Sequence, residues 1–329
     1  MKKFIYLLLF LPLFLLVSCE VDFDPNDSWQ ERMMIYCLLD QDDDTTFVRI
    51  EKCFLGNGNA YEYAKNKDSV YYAKDELDVK MYAYSIWDTS KVIETYDFQY
   101  TTRKKTDGQF YSGDDCPLYC CDTKGKLSVN NLYKLVITNT KTGKQAIGRV
   151  SLLGDYSIET NTFTFTESRG SMKIVWSNLR NSTSNDRSAM PKQFSVNIRF
   201  NYTENGEIKN VDIPVSTKTN NGIKFTHETK IDTATIISYL RVKMKDKKHI
   251  AWYGKAPFEI RVSACDLSMF DYLSVNNATQ NALNYSPVYS NIDGGFGLFA
   301  ARRNHINRAF EDREIDNNLK ESMKTLLNL

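Results

Sequence analysis

The chain has 329 residues and nearly balanced charge, with 42 Lys and Arg against 41 Asp and Glu and a formal net charge of +1. These charges are spread along the sequence, with no basic stripe that carries interleaved aromatics, which argues against a nucleic-acid-binding protein. Twenty tyrosines and 18 phenylalanines with only 7 prolines favour an ordered, strand-rich protein, long enough for two domains.

The first nineteen residues follow the pattern of a bacterial lipoprotein signal. A basic start, Met1–Lys3, precedes an apolar run, Phe4–Val17, and Ser18 stands directly before Cys19. The run is shorter than the roughly twenty residues that a membrane-spanning helix needs. We therefore predict a signal peptide over residues 1–18 and acyl chains, palmitate among them, on the Cys19 thiol. The alternatives are an ordinary secretory signal with a chance cysteine and a single transmembrane anchor.

The segment behind the cysteine is predicted to be a lipidated tether over residues 19–32. Acidic residues follow Cys19 at Glu20, Asp22 and Asp24. This arrangement resembles the surface-export signal of Bacteroidetes-type lipoproteins. The predicted location is the outer membrane, by lipid anchor, at the cell surface. A plain solvated tether is the alternative.

Residues 33–153 are predicted to form an antiparallel β-sandwich. The apolar run Met33–Leu39 and the alternating run Phe47–Phe54 indicate a hairpin with an acidic tip. A short helix is expected near residues 60–67. Further strands are predicted at Leu77–Ile86, Val92–Tyr100, Gln109–Tyr111, Leu132–Thr138 and Gln145–Leu152. Short strands separated by turn signals are typical of a sandwich.

The pattern changes near Gly154, and residues 154–329 are predicted to form an α+β domain. Asn205-Gly206 indicates a hairpin turn, and Gly294–Gly297 a tight bend before a last strand. The predicted strands are Phe163–Phe165, Met172–Trp176, Gln193–Tyr202, Val211–Val215 and Phe258–Ala264.

Three helices are predicted in this second half. The first covers Thr233–Met244 behind an Asp232 cap, with its apolar face at Ile236, Ile237, Leu240 and Met244. The second follows a cap at Asp266, with Leu267, Phe270 and Leu273 turned inward. The third covers Leu319–Leu327 near the end of the sequence.

Six cysteines follow Cys19. Cys116, Cys120 and Cys121 stand close together, but no second pair or nearby histidine completes a zinc site, so no metal is predicted there. A disulfide within this group, or from it to another strand, stays open. The remaining three are predicted to be buried small apolar side chains, namely Cys37, Cys53 and Cys265.

The acidic tip has a spacing similar to that of a calcium loop. Asp40, Asp42, Asp44 and Glu51 stand at positions 1, 3, 5 and 12, but Thr45 replaces the glycine that bends such loops, and strands flank the segment. We interpret it as a solvated hairpin loop that binds no calcium.

Catalytic patterns are sparse. The three histidines, His227, His249 and His305, lie in polar stretches and are predicted to be solvated at the surface. The sequence holds neither HExxH nor GxSxG. We therefore predict no catalytic residue, no metal ligand and no cofactor, with a hydrolase as the remaining enzymatic alternative.

One group of aromatic residues suggests a ligand platform. Tyr61, Tyr63, Tyr71, Tyr72 and Trp87 fall in the region after the first hairpin. Exposed rings of this kind stack on sugar faces, whereas tyrosines also fill cores and strands. Core packing is therefore the alternative.

Two stretches carry a resemblance to a known family. Phe54–Ala60 and Val288–Phe299 are similar to the opening and the end of an uncharacterised family of Bacteroidetes-type outer-membrane lipoproteins. The resemblance spans most of the mature chain, although the Cys116–Cys121 group departs from the family pattern. It implies an immunoglobulin-like first domain and a gene setting beside TonB-dependent outer-membrane transporters.

The expected function is that of a non-catalytic envelope lipoprotein. The resemblance and the Cys19 signal imply an accessory binding component of an outer-membrane nutrient-uptake or surface assembly system. Its expected partners are the membrane, through the lipid, and a TonB-dependent transporter. A structural or adhesive surface protein without a small-molecule ligand is the alternative.

Overall fold

Alternating apolar residues in the first hairpin form strands that are buried on one face. The computed structural model describes residues 32–53, 59–106, 108, 111–163, 171–178, 189–221, 226–247, 249–253, 258–279 and 288–307. In β1 (Arg32–Leu39) the side chains of Met33, Ile35, Cys37 and Leu39 are at most 2% exposed. β2 (Thr45–Cys53) returns antiparallel to β1, so the predicted hairpin is confirmed.

Strands dominate the rest of the chain, and the mainly β fold predicted from the sequence is confirmed. The first half adds β3 (Leu77–Ser85), β4 (Val92–Asp97), β5 (Gln99–Lys105), β6 (Gly113–Asp122), β7 (Asn131–Asn139) and β8 (Gln145–Ser151). The second half holds β9 (Tyr156–Phe163), β10 (Ser171–Asn178), β11 (Gln193–Glu204), β12 (Glu207–Thr219), β13 (Thr226–Asp232), β14 (Ile250–Trp252), β15 (Phe258–Cys265), β16 (Ile292–Asp293) and β17 (Gly295–Asn307).

These strands form three sheets. A five-stranded sheet has the order β16-β8-β7-β3-β4, and a three-stranded sheet the order β13-β10-β9. The nine-stranded sheet runs β12-β11-β15-β17-β1-β2-β6-β5, with β14 beside β11. One continuous hydrophobic core contains residues of all three, from Leu135 of the five-stranded sheet to Ile174 and Phe200 of the second half.

The last described strand belongs to both halves of the chain. Residues 295–301 of β17 pair in parallel with β1, and residues 302–307 pair antiparallel with β15. The nine-stranded sheet therefore crosses the boundary predicted between residues 153 and 154. That boundary divides the sequence pattern, but it does not divide the sheets.

Four helices lie among the described residues: α1 (Ala60–Ala64), α2 (Lys67–Val70), α3 (Thr233–Met244) and α4 (Leu267–Thr279). α3 has the predicted bounds and the predicted buried face, although the Asp232 side chain makes no capping hydrogen bond. Asp266 caps α4, because its Oδ1 accepts from the Met269 N–H at 2.9 Å. Leu267, predicted to face inward, is 56% exposed.

Several strand boundaries differ from the prediction. The predicted strand Val92–Tyr100 is two strands, β4 and β5, which part at the buried Phe98 and join different sheets. β6 was not predicted, since its cysteines and Pro117 obscure the alternation. Pro117 is tolerated because it pairs only with Thr102 of the outermost strand, and pairing with β2 starts at Tyr119.

The turns lie where the sequence predicts them, unlike several of the strand boundaries. Asn205 and Gly206 both have positive φ, 54° and 83°, as the tight turn between β11 and β12 requires. Gly294, with φ of 75°, forms the predicted bend before β17.

Among the described helices, none combines the length and the apolar character needed to cross a membrane. The predicted signal, Cys19 and the helix at Leu319–Leu327 lie outside the described residues.

Candidate functional site

The outer face of the five-stranded sheet carries aromatic and basic side chains. Along β3, Met81 and Ala83 are buried, so Tyr82 and Tyr84 point to the opposite face. The register places Tyr82 beside Lys134 of β7, and Lys134 beside Arg149 of β8. Neighbours of this kind have Cβ atoms about 5 Å apart. A tyrosine and two cations therefore form one row across three strands.

A cavity of about 240 Å³ opens at one end of this row. It is lined by Tyr84, Thr89, Leu132, Lys134 and Arg149, and we call it the outer-face cavity. Arg149 Nη1 donates to the Asp293 carboxylate at 2.9 Å, which uses one of the five guanidinium N–H donors. The Lys134 ammonium has no acidic partner among the described residues. The cavity therefore offers hydrogen-bond donors and positive charge beside a flat ring.

The loop over residues 86–91 forms the rim and is held by backbone contacts. The Ile86 N–H donates to the Asn130 carbonyl at 3.1 Å, and the Ser90 N–H donates to Asp88 Oδ1 at 2.9 Å. The hydrogen bonds from Ser90 lower the pKa of the Asp88 carboxyl. On this loop, Trp87 is 52% exposed and lies two residues before Thr89, which lines the cavity.

The five aromatic residues predicted as a platform do not lie together. Tyr71 and Tyr72 are 3% and 4% exposed, so the prediction that they present rings to a ligand is wrong and the packing alternative holds for them. Tyr61 and Tyr63 are exposed on α1, and Trp87 is exposed after the far end of β3. β3, which spans about 27 Å from Leu77 to Ser85, lies between Tyr72 and Trp87 in the chain.

A second polar group lies where three segments meet, and we call it the hairpin-end cluster. It contains Asp40 and Asp42 of the β1–β2 turn, Asp155 before β9, and Arg302, Arg303, Asn304 and His305 of β17. Arg303 is 6% exposed and donates from Nε to Asp42 at 3.1 Å, while its Nη2 lies 3.1 Å from Asp155. Each of the three carboxylates has a cationic or amide partner, so this cluster fastens segments and leaves no open carboxylate pair.

The acidic tip was expected to be solvated, and for Asp40 this is wrong. Asp40 is 1% exposed, accepts from Asn304 Nδ2 at 2.8 Å, and has its pKa raised by burial. Glu51 is 6% exposed within β2. Asp44 lies at the surface, 3.0 Å from the Lys124 ammonium. The structure therefore does not gather the calcium-loop positions around one point.

Two of the histidines are also less solvated than predicted. His305 Nε2 lies 3.1 Å from Asp155 Oδ1, and its ring packs against that of Tyr156 with centroids 4.4 Å apart. His227 stacks on the buried Trp176 at 5.6 Å. Only His249 is exposed as expected, in a turn with φ of 56°.

The six cysteines that follow Cys19 are all free thiols in the described structure. Cys37, Cys116 and Cys265 are buried, whereas Cys53, Cys120 and Cys121 are partly exposed, so the predicted burial is confirmed for Cys37 and Cys265 and is wrong for Cys53. Burial raises the pKa of the Cys265 thiol to about 11. Among the described residues, no group of three His, Cys, Asp or Glu side chains is placed to hold a metal ion.

The comparisons with known proteins add no relative to this picture. No protein-family model matches the chain, and no curated protein is detectably similar to it. The family resemblance noted from the sequence thus stays a prediction.

Sequence reasoning missed the outer-face cavity. Its only local signal is the alternation in the predicted strand Leu77–Ile86, which turns Tyr82 and Tyr84 away from the core. That signal does not reveal which strands lie beside β3, because pairing with β7 joins residues about fifty positions apart.

Proposed function

We propose that this chain is a lipid-anchored, non-catalytic binding component of the outer membrane that serves nutrient uptake or surface assembly. The lipoprotein-like start of the sequence, with Ser18 before Cys19, supports the anchor. The resemblance to outer-membrane lipoproteins supports the setting beside a transporter.

The position of the outer-face cavity is the observation that carries the binding role. The chain enters the fold from Cys19 at Arg32, the start of β1. β3 begins at the same end of the sandwich, since Tyr72 lies under the Lys52 ammonium, 5.1 Å from the ring centroid. Lys52 pairs with Met33 at the start of β1. The end of β3, with Tyr84 and the cavity rim, is therefore at the end away from the anchor.

The reach of the tether agrees with this arrangement. Twelve residues lie between Cys19 and Arg32, and the thirteen Cα–Cα steps of this extended chain span at most about 45 Å. The tether therefore limits how far the body can lie from the membrane.

The proposal is tested in cells of the native host with wild type and Cys19→Ala. Wild type is expected in the outer-membrane fraction, acylated at Cys19 by mass spectrometry and cleaved by protease on intact cells. Cys19→Ala is expected in the soluble fraction. An unmodified Cys19 or an unchanged distribution of the variant would refute the anchor.

The partner is tested by affinity purification from detergent-solubilised envelopes. A TonB-dependent transporter is expected to co-purify at a one-to-one ratio with the wild type. A wild type that purifies alone refutes the uptake role and favours an adhesive or structural surface protein.

A further inference from the structure

We propose that the outer-face cavity binds an acidic saccharide, that is, a sugar chain that carries carboxylate or sulfate groups. This rests on the proposed function, because it names the class of ligand for the same site. Three features of the cavity carry it: its donors and charge, its flat apolar walls, and its size.

The donors favour a negatively charged group. Lys134 and Arg149 are neighbours across β7 and β8, and Lys134 has no acidic partner among the described residues. Arg149 is paired with Asp293, whose side chain is 73% exposed, and Asp88 lies on the same loop as Thr89. Charge-assisted hydrogen bonds from ammonium and guanidinium groups to carboxylate or sulfate oxygens are stronger than neutral ones.

The walls favour a sugar ring. The lining includes one aromatic residue, Tyr84, one further hydroxyl residue, Thr89, and one aliphatic residue, Leu132. Sugar rings present C–H groups on one face and hydroxyl groups at the edge, which suits a flat aromatic beside hydroxyl side chains. Trp87 lies on the same loop as Thr89 and is 52% exposed, so a second aromatic side chain is available to a longer ligand.

The size favours one ring within a longer chain. The volume of about 240 Å³ is below the roughly 300–1,000 Å³ of pockets that enclose drug-sized ligands. Arg149 and Lys134 line the cavity, and Tyr82 continues their row over the neighbouring sheet surface. A single sugar unit therefore fills the cavity, and adjoining units lie along this row.

The experiment measures binding by isothermal titration calorimetry with the mature lipidated protein in detergent. The probes are a tetrasaccharide of linked galacturonate units, its methyl ester, and a sulfated tetrasaccharide derived from heparin. At least one acidic tetrasaccharide is expected to bind. Methyl esterification of the galacturonate removes the charge and is expected to weaken binding at least tenfold. Raising the salt concentration is expected to weaken binding of the acidic probes.

Matched variants locate the site. Lys134→Met keeps the length of the side chain and removes the charge, and is expected to weaken binding about tenfold. Tyr84→Leu keeps an apolar side chain and removes the flat ring, and is expected to weaken binding about fivefold. The control is Lys80→Met on the same sheet face, since the Lys80 ammonium is already paired with Asp78 at 2.8 Å and lies two residues along β3 from Tyr82.

Each outcome decides the inference. It is overturned if neither acidic tetrasaccharide binds at millimolar concentration, or if Lys80→Met weakens binding as much as Lys134→Met. It is also overturned if an acidic peptide or a single-stranded DNA of equal charge binds as tightly, since the site would then attract any polyanion. Acylation of Cys19 and co-purification of the transporter are read independently, so the inference can fail while the proposed function stands.

Discussion

Gly297 leaves no room for a side chain where β17 runs beside β1, and replacing it with alanine is expected to separate the two strands. Gly297 pairs with Ile35 in parallel and has φ of +115°. A Cβ at this position would lie 1.9 Å from the Ile35 carbonyl oxygen and 2.8 Å from its carbonyl carbon. Ordinary contacts start near 3.4 Å, so the two strands would have to move apart by more than 1 Å.

The magnitude follows from two contributions. A non-glycine residue at this φ costs about 1–3 kcal/mol. Separating the strands loses about two backbone hydrogen bonds, each of which contributes about 1 kcal/mol. We therefore expect Gly297→Ala to lower the free energy of unfolding by about 3–5 kcal/mol. Such a value is at the upper end of single substitutions.

Gly143→Ala is the matched control. Gly143 also has positive φ, +70°, but a Cβ there would have no heavy atom within 4 Å. Only the backbone cost applies, about 1–2 kcal/mol. Urea unfolding followed by tryptophan fluorescence, with Trp176 as a buried reporter, measures both variants. Equal shifts of the two midpoints would show that β1 and β17 do not approach as closely as described.

Three further predictions concern cations, pH and thiols. Millimolar calcium is expected not to raise the melting temperature, because Arg303 holds Asp42 and Lys124 holds Asp44; a rise of several degrees would contradict this. Burial raises the pKa of the Asp266 carboxyl from 3.8 to about 6, so the native state keeps this proton longer than the unfolded state and stability falls as the pH rises from about 4 to 7. Compared with Asp266→Asn, wild type is expected to lose on the order of 3 kcal/mol over this range in urea titrations, and a constant difference would refute the shift. Thiol reagents are expected to label Cys120 and Cys121 before the buried Cys37, as read by mass spectrometry; simultaneous labelling would contradict the burial.

Elements with local determinants were predictable from the sequence. α3 begins after Asp232 and ends at Met244 as predicted. Ile236, Leu240 and Met244 follow one another at intervals of about one helical turn, so nearby residues alone define the buried face. The β11–β12 turn was equally accessible, since Asn-Gly supplies two residues that tolerate positive φ.

Elements whose position depends on residues far away in the chain were not predictable from the sequence. The alternation from Val92 to Tyr100 is continuous in sequence, yet the chain changes sheets at Phe98, because β4 pairs with β3 whereas β5 pairs with β6. The same limit applies to the candidate site. Each of Tyr84, Lys134 and Arg149 sits on a predicted strand, but only the register of β3, β7 and β8 brings them together.

The outer-face cavity does not involve β17, the strand that links the two halves of the chain, so the binding test can distinguish lost ligand contacts from lost stability. β17 pairs with β1 and then with β15, and Arg303 near its end holds Asp42 and Asp155, so substitutions there act on the stability of the whole sheet. Lys134 lies on the outer face of the other sheet and contributes no ion pair among the described residues. Its replacement by methionine is expected to leave the urea midpoint unchanged. A loss of saccharide binding at unchanged stability would therefore reflect contacts with the ligand and not a weakened fold.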